Sequence, residues 1–150
     1  MTTMTPDAQN FGWVVESFTQ NVPGVRHTMT VSTDGLLIAM SAGLDRSEAD
    51  QFAALVSGLS ALTNGASRQL DGGGVRQVLV EMDRLFLVVM AISDGSVLAV
   101  AADEGCDIGL VGYEMTMLAA RARDVLTPAL IHEIRKTLPT GGRVPETTVR

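Results

Sequence analysis

Cysteine and lysine are scarce in this chain, and each scarcity removes a class of function. A single cysteine, Cys106, excludes an internal disulfide and any metal site built from several thiolates, and it accords with a reducing compartment. One lysine, Lys136, a net charge of −6 and a pI near 4.7 leave no basic stripe able to neutralise phosphates, so no nucleic-acid partner is expected. Long apolar runs are also missing. The longest, Leu85 to Ile92, has eight residues, far short of the roughly 20 that span a bilayer, and no direct membrane insertion is expected. The first ten residues hold no basic side chain and no apolar stretch, so no signal peptide is read there and a cytoplasmic location is expected.

What is present fits one domain. The 150 residues are 46% hydrophobic and 19% charged, with mean hydropathy +0.24, enough to bury a core and to exclude whole-chain disorder. Charge is uneven: residues 1–120 carry 14 acidic and 5 basic side chains, and residues 121–150 carry 3 and 6. Only the C-terminal end could favour anions.

Phe11, Val14, Val15, Phe18 and Val22 recur at the spacing of one buried helical face, which predicts a first helix from about Asp7 to Asn21. Pro23-Gly24 stops it. Val25, His27, Met29 and Val31 then alternate with polar residues as in a half-buried strand, and Asp34-Gly35 predicts a two-residue hairpin into Leu36 to Met40. Asp45-Arg46-Ser47-Glu48 has capping-box spacing and opens a second helix. Phe52, Leu55, Val56, Leu59 and Leu62 read as its core stripe, and Ala54, Gly58, Ala61 and Gly65 as a second stripe of small residues. Glycine inside a helix costs about 1 kcal/mol relative to alanine, so two on one face suggest close approach of another backbone, or tolerated surface positions.

Gly72-Gly73-Gly74 ends that helix. Three strands, Val75 to Met82, Leu85 to Ile92 and Val97 to Ala102, follow with links as short as Asp83-Arg84 and Asp94-Gly95, which forces an antiparallel meander. The middle strand is apolar on both faces, so helices must cover both sides of the sheet. Asp107 can cap a third helix, reaching about Leu126, with Ile108, Val111, Met115, Leu118, Ala122 and Val125 inward. Thr127-Pro128 restarts a short helix through Ile131, Ile134 and Leu138. No repeat or interdomain linker is found.

Reactive chemistry is sought and not found. The three glycines precede a strand, the reverse of a phosphate-binding loop, so no nucleotide cofactor is expected. His27 and His132 have no partner at ligand spacing, and no metal site is expected; His27 reads as a hydrogen-bonded, half-buried structural histidine and His132 as solvated. Cys106 lies near a helix start, where the dipole could lower its pKa, yet no base is near in sequence. The pairs Asp103/Glu104 and Glu81/Asp83 read as turn carboxylates rather than acid and base. The eight methionines, including Met82, Met90, Met115 and Met117, mostly fit core stripes. No catalytic residue is assigned and no enzyme is expected.

Helix, two strands, helix, three strands, helix is an order that resembles the roadblock/LC7 fold over about residues 8 to 138. More specific are Val22-Pro23-Gly24-Val25-Arg26, Asp34-Gly35-Leu36-Leu37, Leu44-Asp45-Arg46, and Arg76-Gln77 with Val80-Glu81-Met82. Cys106-Asp107-Ile108-Gly109 with Tyr113-Glu114-Met115, and Leu126-Thr127-Pro128-Ala129-Leu130, follow in order. Together they are similar to the roadblock proteins of actinobacterial conservons. The resemblance implies an α+β fold, an α/β/α sandwich whose five-stranded antiparallel sheet runs in order 2-1-5-4-3, with helix 2 on one face and helices 1 and 3 on the other. Residues 137–150 contain two prolines, two glycines and little apolar content and read as a mobile tail, which gives flexible ends at residues 1–6 and 139–150 around a domain at 7–138. The resemblance also implies homo- or heterodimers joined through third strands and second helices, serving as regulators or platforms for small GTPases, with a sensor histidine kinase encoded alongside.

The residue reading meets that implication at one place. Ala54, Gly58, Ala61 and Gly65 form a shallow groove, and Val75, Gln77, Leu79 and Glu81 lie on a strand expected at an open edge. An unpaired edge invites another strand, so these eight positions are the candidate dimer or partner interface. The expected function is a noncatalytic regulatory subunit for a small GTPase. A passive scaffold for the kinase or another roadblock-like module is the alternative, and a small-ligand enzyme is disfavoured by the lack of convergent polar groups.

Overall fold

The computed structural model describes residues 6–93 and 95–137. Along the chain lie α1 (Pro6–Asn21), β1 (Val25–Ser32), β2 (Leu37–Met40), α2 (Arg46–Leu70), β3 (Gln77–Glu81), β4 (Leu85–Ser93), β5 (Ser96–Asp103), α3 (Ile108–Val125) and α4 (Pro128–Thr137). The ends expected at 1–6 and 139–150 lie outside the described residues, apart from Pro6, as do Asp94, Leu138 and the side chain of Ile134.

Side-chain caps start the helices where the sequence places them. The Asp45 carboxylate accepts from Glu48 N at 2.7 Å while Glu48 Oε1 accepts from Asp45 N at 3.4 Å, closing the capping box of α2. Asp107 accepts from Leu110 N at 3.1 Å, and Thr127 Oγ1 from Leu130 N at 3.1 Å. Helix α2 stops when Asp71 turns left-handed, at φ 54 and ψ 45.

The five strands form one antiparallel sheet in the order β2-β1-β5-β4-β3. Its first hairpin differs from expectation. Ser32 N donates to Leu36 O at 2.8 Å and only Gly35, at φ +91, has positive φ in the turn, so the loop is Thr33-Asp34-Gly35. Three residues ending in a left-handed glycine replace the two-residue form.

Two cores flank the sheet. Phe11, Val15, Phe18 and Val22 of α1, Val111, Met115 and Leu118 of α3, and Leu130 and Ile131 of α4 pack on Val88, Met90, Leu98 and Val100. Ala49, Ala53 and Val56 of α2 pack on Met29, Val31, Leu87, Val89, Val97 and Ala99. Strand β4 is therefore covered on both faces at its centre, as its apolar run requires. Strand β1 is not merely half-buried: Thr28, Thr30 and Ser32 are buried as well. Helix α1 meets this face at Thr28, where the Thr19 and Thr28 hydroxyls are hydrogen-bonded at 2.8 Å, and Thr28 N donates to Ser41 Oγ at 3.0 Å.

Four further expectations change. Leu55 and Leu62 leave the core stripe of α2 and stand 68% and 76% exposed. Val125, at the last turn of α3, is exposed, as are Met82 and Met117, whereas Met90 and Met115 are buried. His27 is half-buried, but its Nδ1 has no hydrogen-bond partner among the described residues. Val75 precedes β3, which is shorter than the sequence suggests because Arg76 carries only one ladder bond, its carbonyl accepting from Ala91 N at 3.1 Å.

Candidate interaction surface

Strand β3 sits at one border of the sheet, bonded to β4 alone among the described residues. Its ladder parity follows from two bonds at its ends: Arg76 O accepts from Ala91 N, and Met82 N donates to Leu85 O at 2.9 Å. Even-numbered residues thus turn their backbone groups toward β4. Gln77, Leu79 and Glu81, the alternating set, turn theirs toward the free side. The same three side chains are exposed, while Val78 and Val80 are partly buried against the α2-side core.

Helix α2 lies on that side of the sheet and shows two unlike flanks. Phe52 and Leu59 pack against the same core as Val78 and Val80, and Thr63 and Ala66, on the same flank, line a groove with Arg76 and Gln77, so this flank turns toward β3. Leu55, Leu62 and Ala66 continue it outward at helical spacing, and all three are exposed. The other flank is marked by Ser57, whose hydroxyl donates to Thr33 O at 2.9 Å. Ala54 and Ala61, three residues before and four after Ser57, therefore face the β1–β2 side. Ala54, Gly58 and Ala61 are exposed and Gly65 is half-buried.

Six of the eight candidate interface residues are thus exposed, with Gly65 and Val75 half-buried. The structure brings Gln77, Leu79 and Glu81 together on one edge and sets the small-residue stripe on the flank away from it. A Cβ placed at Gly58 meets nothing within 4 Å, so no contact within the described residues requires a glycine there. The flank beside β3 belongs to Leu55 and Leu62, which periodicity had put inside. One sequence signal marks their exposure: from Gln51 to Ser67 no charged residue occurs, although one side of the helix faces outward.

Among the described residues, those with reactive side chains do not converge. Burial pushes the Cys106 thiol above its ordinary value, and the carboxylates of Asp103 and Asp107 push it the same way, outweighing a backbone hydrogen bond that lowers it. Asp103 pairs with Arg26. His132 is exposed, and no group of three or more His, Cys, Asp or Glu able to hold a metal occurs among the described residues. An open groove of about 1470 Å³ runs between the end of α2, the 72–76 connector and α3. Its two arginines are Arg76 and Arg123, and Arg123 Nε donates to Ile92 O at 2.9 Å. No described helix is long and apolar enough to cross a membrane.

Comparison with known proteins agrees with this geometry. The family described as Roadblock/LC7 domain matches residues 11–102. A crystal structure of a Roadblock/LC7 domain from Streptomyces avermitilis is 40% identical, covers 77% of this chain and 96% of its own, and superposes with a TM-score of 0.73. MglB of Myxococcus xanthus shares the fold at 16% identity, with a TM-score of 0.77 over 87% of this chain and 96% of that one. A gliding protein MglB from Thermus thermophilus does so at 16% identity and 0.73, over 83% and 94%. No match was found among curated proteins.

Proposed function

Because this chain belongs to the Roadblock/LC7 domain family, we propose that it is a noncatalytic, dimeric regulator or platform for a small Ras-like GTPase in a bacterial signalling complex. The observation that carries this reading is the placement, on one side of the molecule, of a free strand edge beside an uncharged, leucine-bearing helix flank. An open strand edge invites another strand, and contiguous exposed apolar surface marks an interaction site. A two-fold axis near β3 satisfies both, because each copy offers the same edge and flank to the other. The GTPase comes from the sequence resemblance; the likeness to the MglB structures supports the fold that such a role uses.

A binding protein shifts its partner between nucleotide states only by holding one more tightly. Sedimentation of the purified protein is expected to show a dimer, and pull-down is expected to retain a P-loop GTPase with unequal affinity for its GDP and GTP forms. The dimer alone is expected to hydrolyse no GTP. Equal affinity for the two forms would favour a passive scaffold, docked to a sensor histidine kinase or another roadblock-like module. A monomer at high micromolar concentration would remove the dimer from the reading.

A further inference from the structure

Helices α1 and α3 cover the sheet face opposite α2, and their outer surface is not polar. Gly24 lies against Cys106, where an added Cβ would stand 2.5 Å from Cys106 Cβ, so the end of α1 meets the start of α3 and the two helices run antiparallel. On α1, the Thr19 hydroxyl bonds Thr28 and Glu16 Oε1 accepts from Ala42 N at 2.6 Å, which turns that flank toward β1 and the end of β2. On α3, Thr116 and Arg123 reach Met90 and Ile92 and line a groove with Arg76, which turns that flank toward β4 and the connector before β3. The remaining flanks face each other. Counting back at equal rise from the contact of Gly24 with Cys106 sets Trp13 level with Met117, and Ser17 with Tyr113. Leu110, Tyr113 and Met117 recur at i, i+3 and i+7 along α3. These three and Trp13 are all exposed, Trp13 at 71% and Tyr113 at 61%.

We infer that this strip along α1 and α3 is a second docking face, and that its occupant is a basic amphipathic helix of a partner protein. The face lies across the sheet from α2 and needs no second copy of this chain, so it stands apart from the dimer and GTPase reading above. Two aromatic rings, a methionine and a leucine together expose on the order of 400 Å², the size of patch that marks an interaction site on a soluble domain. A shallow trough between two antiparallel helices accepts a third helix by ridges into grooves, and Met117 adapts its shape to the side chain it meets. Charge selects the sign of the partner. Glu104 and Asp107 are exposed at the Leu110 end of the strip, and half-buried Glu114 follows Leu110 by four residues on the same flank. None of the three forms an ion pair among the described residues, whereas the nearby Arg26 is taken by Asp103. Arg121 and Asp124 at the far end offset each other in formal charge. Carboxylates beside aromatic faces fit lysine and arginine, which both groups attract, and the same carboxylates repel an anionic lipid surface.

Trp13 is the only tryptophan in the chain, so its fluorescence reports on this face directly. The probe is a synthetic peptide of about four helical turns, with leucines along one face, lysines on both sides of it and no aromatic residue. Titrated into the full chain, it is expected to move the Trp13 emission to shorter wavelength and to saturate. A scrambled peptide of the same composition, and one with glutamate in place of lysine, are expected to leave the emission unchanged. Met117→Asp is expected to weaken binding at least tenfold, and Glu114→Lys roughly fivefold at low salt, with far-UV circular dichroism and sedimentation as in the wild type. No saturable shift at millimolar peptide, an equal response to the scrambled sequence, or loss of the shift in Leu62→Asp on the opposite side of the sheet overturns the inference. Other occupants would declare themselves. Altered sedimentation of Met117→Asp gives the face to a second copy, a red shift on removal of residues 138–150 gives it to the chain's own end, and a blue shift on phosphatidylserine vesicles gives it to a membrane; each overturns the assignment. A monomeric wild type that still binds the basic helix removes the dimer and leaves this face standing.

Discussion

At Gly24 the backbone is left-handed, with φ +87, and a Cβ would stand 2.5 Å from Cys106 Cβ. Only glycine fits both demands. Gly24→Ala is expected to destabilise the fold by about 2 to 4 kcal/mol, combining left-handed strain with overpacking, and urea unfolding would measure it. A loss under about 0.5 kcal/mol would show that the turn relaxes freely. Cys106 itself offers a pH experiment. Its thiol value is raised, chiefly by burial, so as pH climbs through the ordinary thiol range the unfolded chain ionises first and the native chain later. Alkylation of native protein near pH 8 is therefore expected to be slower than alkylation in denaturant at the same pH. Stability linked to this group is full below the unfolded value and falls as pH rises toward the native one. Equal alkylation rates would contradict the burial argument. The sequence alone suggested the opposite sign, because the Asp107 cap is visible in it and the covering of Cys106 by the 22–24 turn is not.

Helix α2 carries the clearest lesson at the level of elements. Its capping box was legible because Asp45 and Glu48 act locally, and Asp45→Ala is expected to cost about 1 kcal/mol in unfolding measurements. Its orientation was not legible. The residues facing the sheet, Ala49, Ala53, Val56 and Ser60, are small because the helix packs closely on β1 and β2, whereas a periodicity argument favours the larger leucines. Two apolar stripes on one helix cannot be ranked without knowing the gap they must fill. Leu62→Asp is accordingly expected to leave far-UV circular dichroism unchanged while weakening self-association at least tenfold, given about 1.5 to 3 kcal/mol per leucine buried in each copy. Met115→Ala, at a fully buried position, is expected instead to cost about 2 to 5 kcal/mol of fold stability. The meander and the hairpin were readable for a different reason: links as short as Asp83-Arg84 admit no crossover, so topology followed from loop length.

For the whole molecule, charge and edges set the terms of assembly. Each chain carries −6, so two copies repel at long range, and screening shortens that repulsion to about 8 Å at physiological salt. Self-association is expected to strengthen modestly between 20 and 150 mM salt, roughly two- to fivefold. Sedimentation at both concentrations measures it, and marked weakening would assign the contact to ion pairs rather than apolar surface. The edge that faces away from β3 has its own effect. Strand β2 has only four residues, and its ladder to β1 is broken by a register shift between Thr30 and Val31. Such a broken stub is a poor template for further pairing, so once the β3 edges have met, growth halts at a closed pair and fibres are not seeded from the remaining rims.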